Sequence, residues 1–217
     1  MHDILDELEE KTIPVSDLDI FTKIWFSPRR IFQYIHANKY DEFVTPLLII
    51  AGIFKAFDRA IYQNMGDQYS LMIIVILCFV IGGTLGALSI YFYALLLSWT
   101  GKWIKGKADS TEILRIIAYA LIPSLVSLIL LAPQILTFGI ELFQSSETIV
   151  ISSEIFNLFL FGLTIIQLIM ILFSIVFMAV GLSVAQKFSV GKAILNMILS
   201  ILVVIVPITL LVLFYLI

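Results

Sequence analysis

The stretch FVTPLLIIAGIFKAFDRAIYQ, residues 43–63, decides the fold, because it stands between a polar N-terminal region and a long apolar remainder. Its first twelve residues carry no charge, and then Lys55, Asp58 and Arg59 fall within five positions. The segment is either a bilayer-crossing helix with a charged outer third or the end of a soluble region.

Working outward, the chain has 217 residues, of which 61% are hydrophobic and 13% charged. A soluble domain shows roughly 45–50% apolar and about 25% charged residues. The composition therefore implies an integral membrane protein. Residues 68–101, 116–140, 155–186 and 193–217 hold no Asp, Glu, Lys or Arg. Each exceeds the ~20 residues that an α-helix needs to cross the hydrocarbon core. No period-two alternation runs through them, which argues against a β-barrel. The fold class is all-α and polytopic.

The formal charge of −3 conceals an uneven distribution. Asp3, Asp6, Glu7, Glu9, Glu10, Asp17 and Asp19 account for seven of the sixteen acids. Residues 1–15 read as a flexible acidic tail, unlike the basic n-region and apolar run of a cleaved signal peptide. Cys78 is the only cysteine, which excludes an intramolecular disulfide and a thiolate zinc cluster.

Charge also sets the topology, since cytoplasmic loops carry the excess Lys and Arg. The loop with Lys102, Lys105, Lys107 and Arg115 is assigned inside, as is the loop with Lys187 and Lys192. The loop with Glu141, Glu147 and Glu154 has no base and is assigned outside. If residues 43–63 did not cross, Lys11, Lys23, Arg29, Arg30 and Lys39 would lie outside, against the rule. If they cross, eleven of thirteen Lys and Arg residues are inside, the exceptions being Lys55 and Arg59.

The reading is five transmembrane helices near 41–63, 70–99, 113–137, 155–185 and 193–217, with the N-terminus cytoplasmic and the C-terminus outside. Asp41 is placed to cap the first helix, which at 1.5 Å per residue extends roughly 33 Å to Tyr62. Lys55 and Asp58, three residues apart, face the same side and are able to pair, with Arg59 reaching outward. Against that structural reading stands a functional one, a polar intramembrane site on an ion or substrate path.

Two helix-start signals precede the first span. Ser16 is followed by Asp17 and Asp19, and Ser27 by Pro28 at a first helical position. Residues 16–40 thus read as two short cytoplasmic amphipathic helices. Trp25 and Phe32, with Arg29 and Arg30 beside them, suit a helix lying at the membrane surface. Folding back onto the cytoplasmic end of the bundle is the alternative. The bases are too few for a nucleic-acid interface.

Within the spans, Gly82 and Gly86 form a small-xxx-small pair that Ser89 and Tyr93 extend. Asn157, Thr164, Gln167, Ser174 and Gly181 form a second stripe. Such stripes bring helices together and hydrogen-bond across their interfaces. Pro123 and Pro207 lie inside spans and are expected to kink them, freeing the carbonyls of Tyr119 and Val203. His2 and His36 fall outside the spans, and neither HExxH nor GxSxG occurs. No enzymatic activity, cofactor or metal is expected.

The order of features resembles the Yip family of Ypt/Rab-interacting membrane proteins. The resemblance is carried by WFSPRRIFQYI (25–35), by GKWIKGKADSTEILRIIAYALIP (101–123) with Tyr119 and Pro123 four apart, and by MAVGLSVAQKFSVGKAILNMIL (178–199). It covers roughly residues 20–217. It implies a five-span helical domain with a cytoplasmic N-terminus. In eukaryotic members it implies links to vesicle budding, Golgi organisation and prenylated Rab GTPases. The short, acidic front of this chain looks more like a prokaryotic member in the cytoplasmic membrane, so Rab binding is not carried over.

Two functions follow as expectations. One is a non-enzymatic scaffold or organiser that binds proteins or lipids at the bilayer, with protein partners unknown and a homo-oligomer as one form. The alternative is a small transporter or channel whose cavity is lined by Lys55, Asp58, Arg59, Tyr119, Gln167 and the carbonyl freed near Pro123.

Overall fold

A computed structural model describes residues 16–145 and 154–216. The acidic tail expected over 1–15 and Glu147 of the acidic loop lie outside the described residues.

The described chain is helical. Helix α1 (Asp17–Lys23) follows Ser16, and α2 (Pro28–Ala37) follows Ser27 with Pro28 in its first turn. Proline is harmless there because the first-turn N–H has no intrahelical partner. Helix α3 spans Val44–Tyr62, and its N-cap is Phe43 rather than Asp41. The cap expected from Asp41 does not form, because its carboxylate is held by another helix, as described below.

A single rod of 33 residues comes next. It consists of α4 (Leu71–Leu77), a π-helical turn (Cys78–Gly82) and α5 (Gly83–Trp103). Helix α6 (Ser110–Ala120) is started by a reciprocal cap. Glu112 N donates to Asp109 Oδ1 at 2.7 Å, and Asp109 N donates to Glu112 Oε2 at 3.1 Å. The chain breaks at Leu121 and resumes as α7 (Ile122–Phe138), with Pro123 in its first turn. A 3₁₀ segment (Gly139–Phe143) ends this arm. Helices α8 (Glu154–Ala185) and α9 (Val190–Leu216) complete the fold, and Pro207 lies inside α9.

Among the described residues, four segments are long and apolar enough to cross a membrane: the rod, the α6–α7 arm, α8 and α9. Helix α3, with 19 residues and three charges in its last two turns, is not among them.

Helix α3 meets the rod backbone to backbone. A Cβ added to Gly52 would lie 2.5 Å from the Gly82 carbonyl oxygen, and one added to Gly82 would lie 2.5 Å from Ala56 Cβ. One added to Gly86 would overlap the Gly52 Cα. Small residues at such a crossing let two helices gain dispersion contact along their backbones, which is the main attraction available within lipid.

Apolar side chains gather at two levels. At the N-terminal end of the bundle, Ile20, Ile24, Ile31, Phe32 and Ile35 of the first two helices and their connection pack with Ile113, Ile116 and Tyr119 of α6 and Phe177 of α8. At the opposite end, Phe57 of α3, Ile74 of the rod and Phe143 of the 3₁₀ segment form a second cluster.

Gly86→Ala should destabilise the protein by about 1–3 kcal/mol, since the methyl group strikes backbone that is unable to turn aside. Helix propensity alone predicts the opposite sign, a gain of about 1 kcal/mol. Thermal unfolding in detergent distinguishes the two, with Gly162→Ala, where the added Cβ meets nothing within 4 Å, as the control.

Candidate functional site: a groove beside a charged turn

Lys55 and Asp58 sit one helical turn apart on α3, and both are exposed. They line a cavity of about 390 Å³ between α3, α5, the α6–α7 break, α8 and α9. Its polar lining beyond that pair comes from Ser89 and Tyr93 of α5, Ser124 of α7 and Ser174 of α8. The remainder is apolar and includes Phe54, Ile171 and Met178. The break at Leu121 brings both Leu121 and Ser124 to this wall.

The sequence-predicted constellation assembles only in part. Among the described residues no ion pair joins Lys55 to Asp58, so the expected mutual pairing does not form. Arg59 is exposed and does not line the cavity. Tyr119 is wholly buried elsewhere, its ring 6.0 Å from that of Tyr40, and its hydroxyl has no hydrogen-bond partner among the described residues. Gln167 is half-buried on α8, one turn before Ile171, and is not part of the lining. Pro207 belongs to the exposed second half of α9, away from the cavity.

The glycine and aromatic candidates serve packing. Gly82 and Gly86 contact α3, as above. Phe32 is completely buried against Gly181 of α8 and is thus withdrawn from any lipid surface. Trp25 packs edge-on to Phe173 and Phe177, at 5.3 and 5.6 Å between ring centroids. Of the membrane-surface set, Arg29 and Arg30 remain exposed. The first two helices fold back onto the bundle because their apolar faces find α6 and α8 there.

Sequence reasoning missed the pair that joins the start of α3 to α6. Arg115 Nε and Nη2 donate to Asp41 Oδ1 and Oδ2 at 2.6 and 2.8 Å. Arg115 is not a loop base. It lies in the second turn of α6 with its side chain 5% exposed, while that of Asp41 is 59% exposed. The cap residues Asp109 and Glu112 are the signal that places Arg115 inside a helix, between Ile113 and Ile116. Next to this bridge, Tyr40 Oη donates to Asp17 Oδ1 at 2.5 Å and lies 3.0 Å from Glu42 Oε2. Burial and these two carboxylates push the Tyr40 phenol well above its usual range.

A second polar group fastens the loops. Gln186 Oε1 accepts from Ala108 N at 3.1 Å, and Asn196 Nδ2 donates to the Leu97 carbonyl at 3.1 Å. Thr100 Oγ1 donates to Asn196 Oδ1 at 2.8 Å. A Cβ at Gly101 or Gly106 would collide with the Gln186 amide.

The paired guanidinium holds the Asp41 carboxyl below the ordinary carboxylate range. The stability this contributes is present above that range and is lost as pH falls through the lowered value. Asp41→Asn should cost about 1–3 kcal/mol at pH 7, less than the ~3–5 kcal/mol of a fully buried broken pair because water reaches Asp41. In thermal melts the gap between wild type and variant should close as pH is lowered below 4.

The sequence matches a family model described as the Yip1 domain over residues 22–211. No curated protein sequence and no solved structure gives a significant match. With four long apolar helices, the match makes this an integral multi-pass membrane protein.

Proposed function

The chain belongs to the Yip1-domain family, and from that premise we propose that it is a non-enzymatic scaffold that organises proteins or lipids at the membrane. The observation that carries this reading is the built platform at the N-terminal end. Five apolar residues of α1, α2 and their connection have at most 1% exposure, so these helices are structural parts of the bundle. The platform leaves Phe26 exposed at 90%, with Arg29 and Arg30 next to it. An exposed aromatic beside two guanidiniums suits a protein contact, where aromatic and Arg anchors dominate binding.

We further propose that α3 crosses the bilayer as a fifth span, with the N-terminus cytoplasmic and the C-terminus outside. The positive-inside rule supports this, because eleven of the thirteen Lys and Arg residues precede α3, fall within 102–115, or are Lys187 and Lys192. The transporter alternative relied on Tyr119 and Gln167 beside the charged turn. Both are absent from the cavity lining, and it is not adopted.

Topology is tested with single cysteines in a Cys78→Ser background, placed at Phe26, Gln68 and Tyr215. An impermeant maleimide applied to intact cells should label the last two, and Phe26 only after permeabilisation. Labelling of Phe26 and Gln68 from the same side would mean that α3 does not cross.

Deleting residues 1–40 would remove core, so the scaffold reading needs surface changes instead. Phe26→Ser combined with Arg29→Glu and Arg30→Glu should reduce crosslinked partner recovery several-fold while leaving the melting temperature within a few degrees. Undiminished recovery would sink the reading.

A further inference from the structure

The cavity beside α3 holds one ammonium and one carboxylate, and neither has a salt bridge or a side-chain hydrogen bond among the described residues. Charges at membrane depth are costly and are found paired or facing a wet or ligand-filled space. Both stand on the α3 wall of the cavity. Ala51 to Asp58 covers about 10 Å of α3 at 1.5 Å per residue, and Met178 of α8 and Met197 of α9 belong to the apolar lining. The volume of about 390 Å³ falls in the roughly 300–1,000 Å³ span of small-molecule sites. The exposed rim residues Ser89, Ile171 and Ile175 belong to segments apolar enough to cross the membrane, so the opening faces acyl chains.

From this juxtaposition we infer that the cavity is a binding site for a zwitterionic phospholipid with a primary-ammonium headgroup. The phosphate pairs with Lys55, the ammonium donates to the Asp58 carboxylate, and part of one acyl chain lies along Phe54, Ile171 and Ile175 toward the methionines. The inference deepens the scaffold reading on its lipid side and rests on α3 being a membrane helix. A free phosphate or a hydrophilic solute leaves the apolar walls unoccupied. An anionic lipid satisfies Lys55 but sets its phosphate against Asp58. A quaternary ammonium has no N–H to donate, and such groups are usually held in aromatic cages. Here Phe54 and Tyr93 are the aromatic lining residues, too few to enclose one. Methionine adapts to chains of varied length and unsaturation, so selectivity resides in the headgroup.

The test is native mass spectrometry of the full chain released from nanodiscs of equimolar phosphatidylethanolamine, phosphatidylcholine and phosphatidylglycerol. Wild type should retain one phosphatidylethanolamine, enriched about tenfold over phosphatidylglycerol, as expected for one charge-assisted hydrogen bond gained and one repulsion avoided. Asp58→Asn should bring that ratio close to one. Ile175→Trp, which fills the groove and leaves both charges intact, should abolish retention, and melting temperatures identify any variant that fails to fold. Retention in bulk proportions, enrichment of phosphatidylglycerol, or equal retention by folded Ile175→Trp would each overturn the inference. Partner recovery through Phe26, Arg29 and Arg30 is read in a separate experiment. Lost lipid selectivity with recovery intact therefore removes this inference alone, and lost recovery with selectivity intact leaves it standing.

Discussion

The contact on which the bundle depends is the approach of α3 to the rod at Gly52, Gly82 and Gly86, where no side chain larger than the Ala56 methyl intervenes. This helix carries three charged residues, and dispersion between closely spaced backbones is what seats it against the rod. The remaining features of α3 follow from that seat. Phe57 reaches the cluster with Phe143 on one side, while Lys55 and Asp58 are turned toward the cavity on another. The start of the helix is fixed separately, by the fork between Asp41 and Arg115. A bidentate pair specifies direction as well as distance, so α3 is held by shape in its middle and by charge at its entrance.

The N-terminal end of the molecule is tied by polar groups that each satisfy more than one demand. Gln186 and Asn196 together occupy backbone and side-chain groups on the rod and on the loop that follows it. Buried amides of this kind rigidify only when all their members are satisfied. The first two helices add apolar cover over α6 and α8, which is the fold-back arrangement that stood as the alternative to helices at the membrane surface.

Most of the helical framework was legible from charge and hydropathy. The uncharged stretches mark the rod, the α6–α7 arm, α8 and α9 to within a few residues, and Ser16 and Ser27-Pro28 mark the first helices. Pairings were not legible. Gly82 and Gly86 announce a close approach, but nothing in the string names Gly52 as the partner. The candidate site was half legible for the same reason. Charge singled out Lys55 and Asp58, and the small-residue stripes contained Ser89, Tyr93 and Ser174. Tyr119 failed because Ile117 and Leu121 face the cavity, and a residue two positions from each points to the other side of a helix. Gln167 shares its face with Ile171 and Ser174 but lies a turn beyond the cavity. Arg115 was hidden by its proximity to Lys105 and Lys107, which do belong to a loop.

The rod also carries a seam along its length. Ile74, Cys78, Gly82, Ile90, Ala94 and Ser98 are all buried, and Gly86, touching Gly52, completes a row in which every fourth residue faces protein. On a regular α-helix a step of four advances the direction by about 40°. The wider π turn at Cys78–Gly82 offsets part of that drift where α3 has to be met. Beyond Gly86 the drift runs freely, and the row winds around the rod until Ser98 donates to the Ala108 carbonyl and the Leu97 carbonyl accepts from Asn196. One periodic seam in the sequence is therefore shared between two sets of partners, α3 in its first half and α6, the loop and α9 in its second. The count of residues between its members, more than their chemistry, decides which partner each one meets.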